Sequence, residues 1–594
     1  PRPPHLSPQP VSQVSPSAAA FARAQALHQA GRLAEAQALY DQVLQADPRH
    51  SGALHYLGYL WFQKGDTGRA LGLIGRAVEL APKDPGIRYN RGLILKQAGR
   101  LDEAVADFRH VAALAPSDLG AWAGLGETLL ALGRPEEALG AYDRALALKP
   151  DAVDFHANRA VALRGLGRLE EALAAQDRVM ASAPGYAEGW SNRGNVLKDL
   201  GRFEEAVQSF DRSVAINPRL PLVLVNRANA LRELGRIAEA MAGYDGAIVL
   251  APAYPSAHHH RGVLLTDQQR LPEAVAAFDR ALALVPGDAA SEGAKAMALL
   301  MAGDFERGLP LYERRPMLAP EAAWGCPPWL GAEPVDGKTV LVWAEQGLGD
   351  TLQFCRYVPL LAERGARVVL RAQRPLLPLL ASLAGVEALI AADEPPPAFD
   401  LHTPLLSLPL AFGARLDTIP ASAAYLTPDP ARVQTWSQRL GPRSRPRIGL
   451  VWSGRAEHSN DRRRTLPLAR LLAALPPGFD YISLQQEVRP ADQATLASRP
   501  DIRHFGSELK DFADTAALVW QMDAVVGVDT SVAHLAGALG KDTRLLLSRP
   551  GQDWRWLTER SDTPWYPTMR LYRQGADGDW AGPLAAVGSE LAGA

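Results

Sequence analysis

The chain has 594 residues, and its 63 Lys plus Arg against 65 Asp plus Glu give a formal net charge of −2. That balance excludes electrostatic attraction to nucleic acid or an anionic membrane as the basis of a main partnership. Hydrophobic residues at 47% and charged residues at 22% describe a globular chain of roughly four domains. Two cysteines, Cys326 and Cys355, make neither a disulfide framework nor a paired zinc site, so a reducing, cytoplasmic setting is expected. No run of ~18 apolar residues occurs, so no membrane span is expected. Residues 1–16, rich in Pro, Ser and Gln and without an apolar core, read as a flexible tail and not as a signal peptide.

A period of 34 residues then governs 17–320. Pro48, Pro82, Pro116, Pro150, Pro184, Pro218, Pro252, Pro286 and Pro320 mark it, as do Gly31, Gly65, Gly99, Gly133, Gly167, Gly201, Gly235 and Gly303, with Gln269 in the one remaining glycine slot. Apolar residues between the markers keep helical spacing, as in Leu197, Leu200, Phe203, Ala206 and Phe210. Each unit therefore reads as helix, glycine turn, helix, proline stop. Such a hairpin cannot bury its apolar face alone, so about nine units stack into an α-solenoid, the ninth degenerate and serving as a cap. These residues, with Trp190-Ser191-Asn192-Arg193-Gly194, resemble tetratricopeptide repeats. The resemblance implies an extended face for a polypeptide partner.

Asn90, Asn158, Asn192 and Asn226 fall in one slot of the first helix, and Asn195 and Asn229 form a shorter series three residues later. A side-chain amide donates and accepts at once, so such a ladder can hold an extended peptide backbone without reading its sequence. The alternative is that these amides cap or bridge neighbouring repeats. The arrangement resembles the asparagine ladder of O-linked N-acetylglucosamine transferases. His258-His259-His260 occupies the same helical region, where consecutive positions diverge and cannot chelate one metal.

Past Pro320 the rhythm stops. Residues 321–334, rich in Pro, Gly and Trp, read as a connector. Strand candidates follow at Thr339–Glu345, Arg367–Arg371, Glu387–Ala391, Arg447–Trp452, Tyr481–Leu484, Ala524–Val528 and Thr543–Leu547. They alternate with amphipathic stretches such as Asp350–Arg364 and Asp511–Met522, the pattern of parallel sheets covered on both faces. Two Rossmann-like halves are expected, 335–428 and 447–594, joined by a linker over 429–446 and ending in a terminal wrap. Ligands are expected at the carboxyl ends of their strands.

Three strand ends carry candidate chemistry. In Gln346-Gly347-Leu348-Gly349-Asp350-Thr351, Leu352 stands where a dinucleotide fingerprint needs a glycine, and Asp350 would repel a pyrophosphate. Asp350 is either a general base facing an acceptor hydroxyl or the cap of its own helix. In Asp529-Thr530-Ser531-Val532-Ala533-His534, a helix start offers free N–H groups and its positive dipole end to phosphate, with His534 one turn in. Trp452-Ser453-Gly454-Arg455 and the run Arg462-Arg463-Arg464 suit phosphate charge, or form a solvated basic loop. Asp553-Trp554-Arg555-Trp556 and Pro564-Trp565-Tyr566-Pro567 fit a wrap over the cleft or onto the repeats, or plain aromatic packing. No carboxylate or histidine cluster has metal-ligand spacing, so neither a metal nor a separate cofactor is expected.

The Gly349-Asp350 loop and the Asp529–Ala536 stretch resemble heptosyltransferase-type glycosyltransferases of GT-B architecture, over roughly 335–575. The resemblance implies Asp350 as base, Thr530, Ser531 and His534 as the nucleotide-phosphate turn with Arg462 and Arg463 nearby, and Asp529 beside the donor sugar. Repeats followed by such a cleft resemble the bacterial tetratricopeptide glycosyltransferases that modify flagellin with nonulosonic acids. The layout implies a metal-independent protein glycosyltransferase acting on Ser or Thr of a protein held by Asn90, Asn158, Asn192 and Asn226. In the flagellin case the donor would be a CMP-activated sugar. The alternatives are a saccharide or lipid-linked acceptor, and a non-catalytic scaffold.

Overall fold

The computed structural model describes residues 16–315, 324, 327–454, 461–549, 553–575 and 578–593, with 462 and 463 described by their backbone alone. The expected tail up to residue 15, much of the expected connector and the side chains of Arg462 and Arg463 lie outside the described residues. The chain forms two compact units, Pro1–Leu250 and Ala251–Ala594.

The first unit is a stack of helical hairpins. A typical hairpin pairs a 13-residue helix, Ala187–Asp199, with a 14-residue helix, Phe203–Ile216. Between them Gly201 takes φ +73°, and Gly201 and Arg202 donate back to Lys198 and Leu197 carbonyls at 3.0 and 2.9 Å. The hairpin closes tightly because a small residue of the first helix meets a ring of the second. A Cβ on Gly194 would lie 2.7 Å from Phe210 Cε1, and one on Gly126 would lie 2.7 Å from Tyr142 Cζ. Phe108, Tyr142 and Phe210 are fully buried in this way. First helices touch the next first helix more extensively than second helices touch the next second helix.

The second unit begins with two more hairpins, the last ending in the short helix Phe305–Tyr312, whose Pro310 cuts it to eight residues. At the eighth turn Gln269 takes the φ of +59° that glycine holds elsewhere. Two parallel sheets follow. The smaller holds β1 Thr339–Trp343, β2 Arg367–Ala372, β3 Val386–Ala391 and β4 Leu401–Pro404, in the order β3-β2-β1-β4. The larger holds β5 Arg447–Val451, β6 Asp480–Ser483, β7 Arg503–His504, β8 Ala524–Val528, β9 Asp542–Leu547 and β10 Met569–Arg573, in the order β10-β9-β8-β5-β6-β7. Every residue of β5 and β8 is buried, the mark of a parallel strand covered on both faces. β4, β7 and β10 have no counterpart among the sequence candidates. β7 is two residues long and carries no run to read.

Counted from its own first strand, the larger sheet has the doubly wound order 3-2-1-4-5-6, and the smaller reads 3-2-1-4. In such sheets the connections leave in opposite directions at one place, and a crevice opens there at the carboxyl ends of the strands. That place lies between β1 and β4 in one sheet and between β5 and β8 in the other. Among the described residues no helix is long and apolar enough to cross a membrane.

Candidate functional site

The residues after β1 and β8 are packed together. After β8, Thr530 is the N-cap of the helix Ser531–Ala538, and its side chain does not cap that helix. After β1, Gly347 precedes the helix Leu348–Phe354. A Cβ on Gly349 would lie 2.8 Å from His534 Cδ2 and 3.5 Å from Ser531 Cα, so only glycine lets this loop lie on the start of the other helix. The structure therefore brings Asp350, Asp529, Thr530, Ser531 and His534 into one neighbourhood.

Asp350 does two things. Its Oδ2 accepts the N–H of the N-cap residue Gly347 at 2.9 Å, and its Oδ1 pairs with Arg555 Nη2 at 2.5 Å. Arg555 is 3% exposed and also pairs with Asp553 at 2.9 Å. Its ring contacts are Phe354 and Trp554, at 5.0 and 4.8 Å. Burial works against its charge, but the Asp553 and Asp350 carboxylates outweigh burial and hold the guanidinium above its ordinary pKa.

Asp529 is held by the next aromatic along. Trp556 Nε1 donates to Asp529 Oδ2 at 2.9 Å, and His534 Nε2 lies 3.6 Å from Oδ1. Burial alone would raise the Asp529 carboxyl, but His534, the Trp556 indole and Arg464 outweigh it and hold the group below the usual carboxylate range. His534 is buried, stacked on Trp556 at 5.1 Å, and its Nδ1 meets the Tyr566 hydroxyl at 2.9 Å. Burial pushes that hydroxyl up to about 12, so it keeps its proton. When Tyr566 donates to Nδ1, it is an Nε2–H that faces Asp529.

One 3-10 turn, Trp554–Trp556, thus ties both acids: Arg555 holds Asp350 and Trp556 holds Asp529. The turn ends in Leu557 at φ +55°, ψ −168°, a region kept almost entirely by glycine, so backbone strain is stored beside the site. The same segment serves the last repeat. Trp554 and Trp565 pack on Phe305 at 5.7 and 6.1 Å and on Phe354 at 6.2 and 5.4 Å.

The Trp452–Gly454 loop is tied to the loop after β6. Gln485 Oε1 accepts the N–H groups of Trp452 and Ser453 at 3.1 and 3.2 Å, which leaves them unavailable to a ligand. Arg464 is the arginine of the run seen beside Asp529, donating to its carbonyl at 3.0 Å. Thr530 Oγ1 is buried without a hydrogen-bond partner among the described residues. Arg555, Trp556, Tyr566 and Gln485 had no assigned role from sequence; only the density of Trp and Arg at 553–566 marked the segment.

At the end of β1, Glu345 is buried and paired with Arg315, which follows the last repeat helix and donates to Ser407 Oγ at 3.0 Å. Burial raises the Glu345 carboxyl in spite of Arg315. In the repeats, the Asn90 amide meets His55 Nε2 at 2.8 Å and Asn158 lies against the Tyr142 hydroxyl. Asn192 and Asn226 are half-buried and have no hydrogen-bond partner among the described residues. His258 Nε2 bonds the Pro252 carbonyl at 2.9 Å and His259 Nδ1 the Ser291 hydroxyl at 3.0 Å. Among the described residues no group of three or more His, Cys, Asp or Glu could hold a metal ion.

Tetratricopeptide repeat models match residues 27–90, 64–118, 89–153, 123–187, 187–220 and 225–289, so the repeats are tetratricopeptide repeats. Over 329 residues the chain is 28% identical to Protein FlbA of Caulobacter vibrioides, covering 50% of this chain and 54% of FlbA. The chain thus spans about half the length of that curated relative. Among solved structures, a tetratricopeptide repeat protein from Parabacteroides merdae is similar at 18% identity and TM-score 0.39, covering 42% of this chain and 98% of the other. The Cut9–Hcn1 hetero-tetramer of the APC/C is similar at 17% identity and TM-score 0.35, over 48% and 56%. YrrB, titled a repeat protein with an unusual peptide-binding site, is similar at 22% identity and TM-score 0.28, over 31% and 95%.

Proposed function

We propose that this chain is a metal-independent protein glycosyltransferase of GT-B type. It moves a sugar from a nucleotide-sugar to a Ser or Thr hydroxyl of a polypeptide held on the repeats. The observation that carries the reading is the pair of strand-end acids, Asp350 and Asp529, tied by consecutive residues of one turn beside the N-terminus of the helix Ser531–Ala538. A helix N-terminus with basic side chains suits a departing phosphate. Asp529, kept ionised by its neighbours, stands beside the donor sugar as it gains positive charge. Asp350 takes the acceptor proton, and this requires it to exchange Arg555 for the hydroxyl as substrate enters. In the repeats, Asn192 and Asn226 have amides free to pair with a peptide backbone, whereas Asn90 is spent on His55. A flagellin acceptor and a CMP-activated nonulosonic acid are the specific case drawn from the sequence resemblance.

Co-expression with a candidate acceptor, followed by intact-mass spectrometry, tests the reading. A mass increment equal to one sugar is expected, reduced by at least about 100-fold in rate in Asp529→Asn. An acceptor modified equally by the parent chain and by Asp350→Ala, Asp529→Asn and His534→Ala would remove the site from the reaction. Transfer retained after the Asn192 and Asn226 amides are replaced together by alanine would remove the ladder.

A further inference from the structure

Arg356, just after the helix that carries Asp350, is a buried cation without an acid. It is 3% exposed, and among the described residues no carboxylate pairs with it. Neutral oxygens take its donors instead. Nε donates to the Gln353 carbonyl at 2.7 Å, Nη1 to the Pro420 carbonyl at 3.2 Å and to the Trp565 carbonyl, and Nη2 to the Tyr425 hydroxyl at 2.9 Å. The Tyr425 and Tyr566 rings each lie 4.6 Å from its guanidinium carbon, and Trp565 lies 5.6 Å away. An apolar side chain of similar length would fill this place without the cost of dehydrating a charge, so packing does not account for the guanidinium. Its donors do: they reach the end of the Asp350 helix, the stretch before the helix Pro430–Leu440, and the segment after the Trp554–Trp556 turn.

Tyr566 connects this cation to the second acid. A Cβ on Gly537 would fall on the Tyr566 ring, so glycine lets that ring lie against the helix Ser531–Ala538. The fully buried Tyr566 meets His534 Nδ1 through its hydroxyl at 2.9 Å, and the Tyr425 hydroxyl lies beside it. A phenol has one hydrogen to give, and Tyr566 has two neighbours to receive it, His534 Nδ1 and the Tyr425 oxygen. A guanidinium can only donate, so Arg356 Nη2 occupies the Tyr425 oxygen as an acceptor, and the Tyr425 hydrogen goes to the Leu352 carbonyl at 2.8 Å. Tyr566 is thereby directed to Nδ1, and the His534 hydrogen is placed on Nε2, on the side of Asp529. Asp529 Oδ1 stands 3.6 Å from Nε2, beyond an ordinary hydrogen bond, so the contact at Nδ1 decides where the hydrogen sits.

We propose that Arg356 is a positioning residue: by holding the Tyr425 hydroxyl it makes Tyr566 donate to His534 and so fixes an Nε2–H toward Asp529. That this serves sugar transfer rests on the transferase reading; the fixed hydrogen does not. Heteronuclear NMR of the 594-residue chain with isotope-labelled histidine rings tests it, the His534 signals being those lost in His534→Gln. In the parent, Nδ1 is expected at the shift of a bare nitrogen and Nε2 at that of an N–H. Arg356→Met frees the Tyr425 oxygen for the Tyr566 hydrogen, and the two His534 signals are expected to move toward each other as both nitrogens share the ring hydrogen. Removing the rival acceptor as well, by combining Arg356→Met with Tyr425→Phe, is expected to restore the parent pattern, which a mere loss of packing would not do. If Arg356→Met loses its cooperative melt, Arg356→Lys carries the test, with a smaller movement in the same direction that Tyr425→Phe again reverses. An Nδ1–H in the parent, an unmoved pattern in the folded Arg356 variants, or a change that Tyr425→Phe does not reverse overturns the proposal. In sugar transfer, Arg356→Met is expected to lower kcat at least about tenfold, since a histidine with its hydrogen on the wrong nitrogen loses its role, and the double variant is expected to recover most of it. A changed His534 pattern with unchanged kcat overturns the part of Arg356 in the reaction and leaves the transferase reading standing. The expected patterns without sugar transfer to any polypeptide keep the fixed hydrogen and remove the transferase reading.

Discussion

Asp177 and Arg193 meet at 2.6 Å on the repeats of the first unit, and Asp143–Arg159 and Asp211–Arg227 repeat the pairing one unit earlier and one unit later. Each pair joins residues 16 apart, and each acid is half exposed. Arg555 and Asp350 also meet as one pair, but they are 205 residues apart and Arg555 is almost wholly buried. The first kind of pair is cheap, local and redundant. The second keeps its arginine out of water and joins two strand-end loops. A repeat distributes its stability, so losing one contact leaves many like it. The strand-end site concentrates interactions that nothing else replaces.

The sharpest way to break this contrast is to remove one arginine of each kind. Arg555→Ala leaves Asp350 and Asp553 without their buried partner, and a loss of about 3–5 kcal/mol is expected in urea unfolding. Arg193→Ala on the repeats is expected to cost only roughly 0.2–1 kcal/mol. Equal losses would erase the distinction.

Acidity sharpens it next. The Asp529 carboxyl is held below its unfolded value near 3.9, so its stabilisation is complete above that pH and is lost as pH falls through the folded value. Urea midpoints measured from about pH 5 down to about pH 2 are expected to fall more steeply in the parent chain than in Asp529→Asn. Parallel curves would mean that His534 and Trp556 leave the carboxyl unaffected.

The smallest effects lie in the turns. Gly201→Ala places a Cβ at φ +73° and is expected to cost about 1–2 kcal/mol, although nothing lies within 4 Å of that Cβ. Gln269→Gly, at φ +59°, is expected to gain less than about 1 kcal/mol, because relief of the left-handed strain is offset by glycine's extra freedom when unfolded. Thermal melts of both variants check the signs. A destabilised Gln269→Gly would show that the glutamine side chain matters more than its backbone.

Legibility in the sequence followed the range of the interactions. The glycine turns could be read because a left-handed residue recurs every 34 positions, and β5 and β8 because a strand covered on both faces is a continuous apolar run. β7 could not be read, since two residues held by one neighbouring strand leave no pattern. Asp350 and Asp529 stood out as acids at strand ends, but nothing local says that adjacent residues of a distant turn hold them. The Trp452–Gly454 loop shows the reverse case. Its residues read as suiting phosphate charge, and nothing local says that Gln485, more than 30 residues on, takes the N–H groups of Trp452 and Ser453.

The sequence by itself determined the period, the hairpins and the alternation of strand with helix, because backbone propensity and apolar spacing act within a few turns of chain. Only the tertiary structure decided that Arg555 faces Asp350, that Trp556 faces Asp529 and that Arg356 meets Tyr425. Those pairings depend on where parallel strands end and on which side chains lose water together, and neither is written in local order.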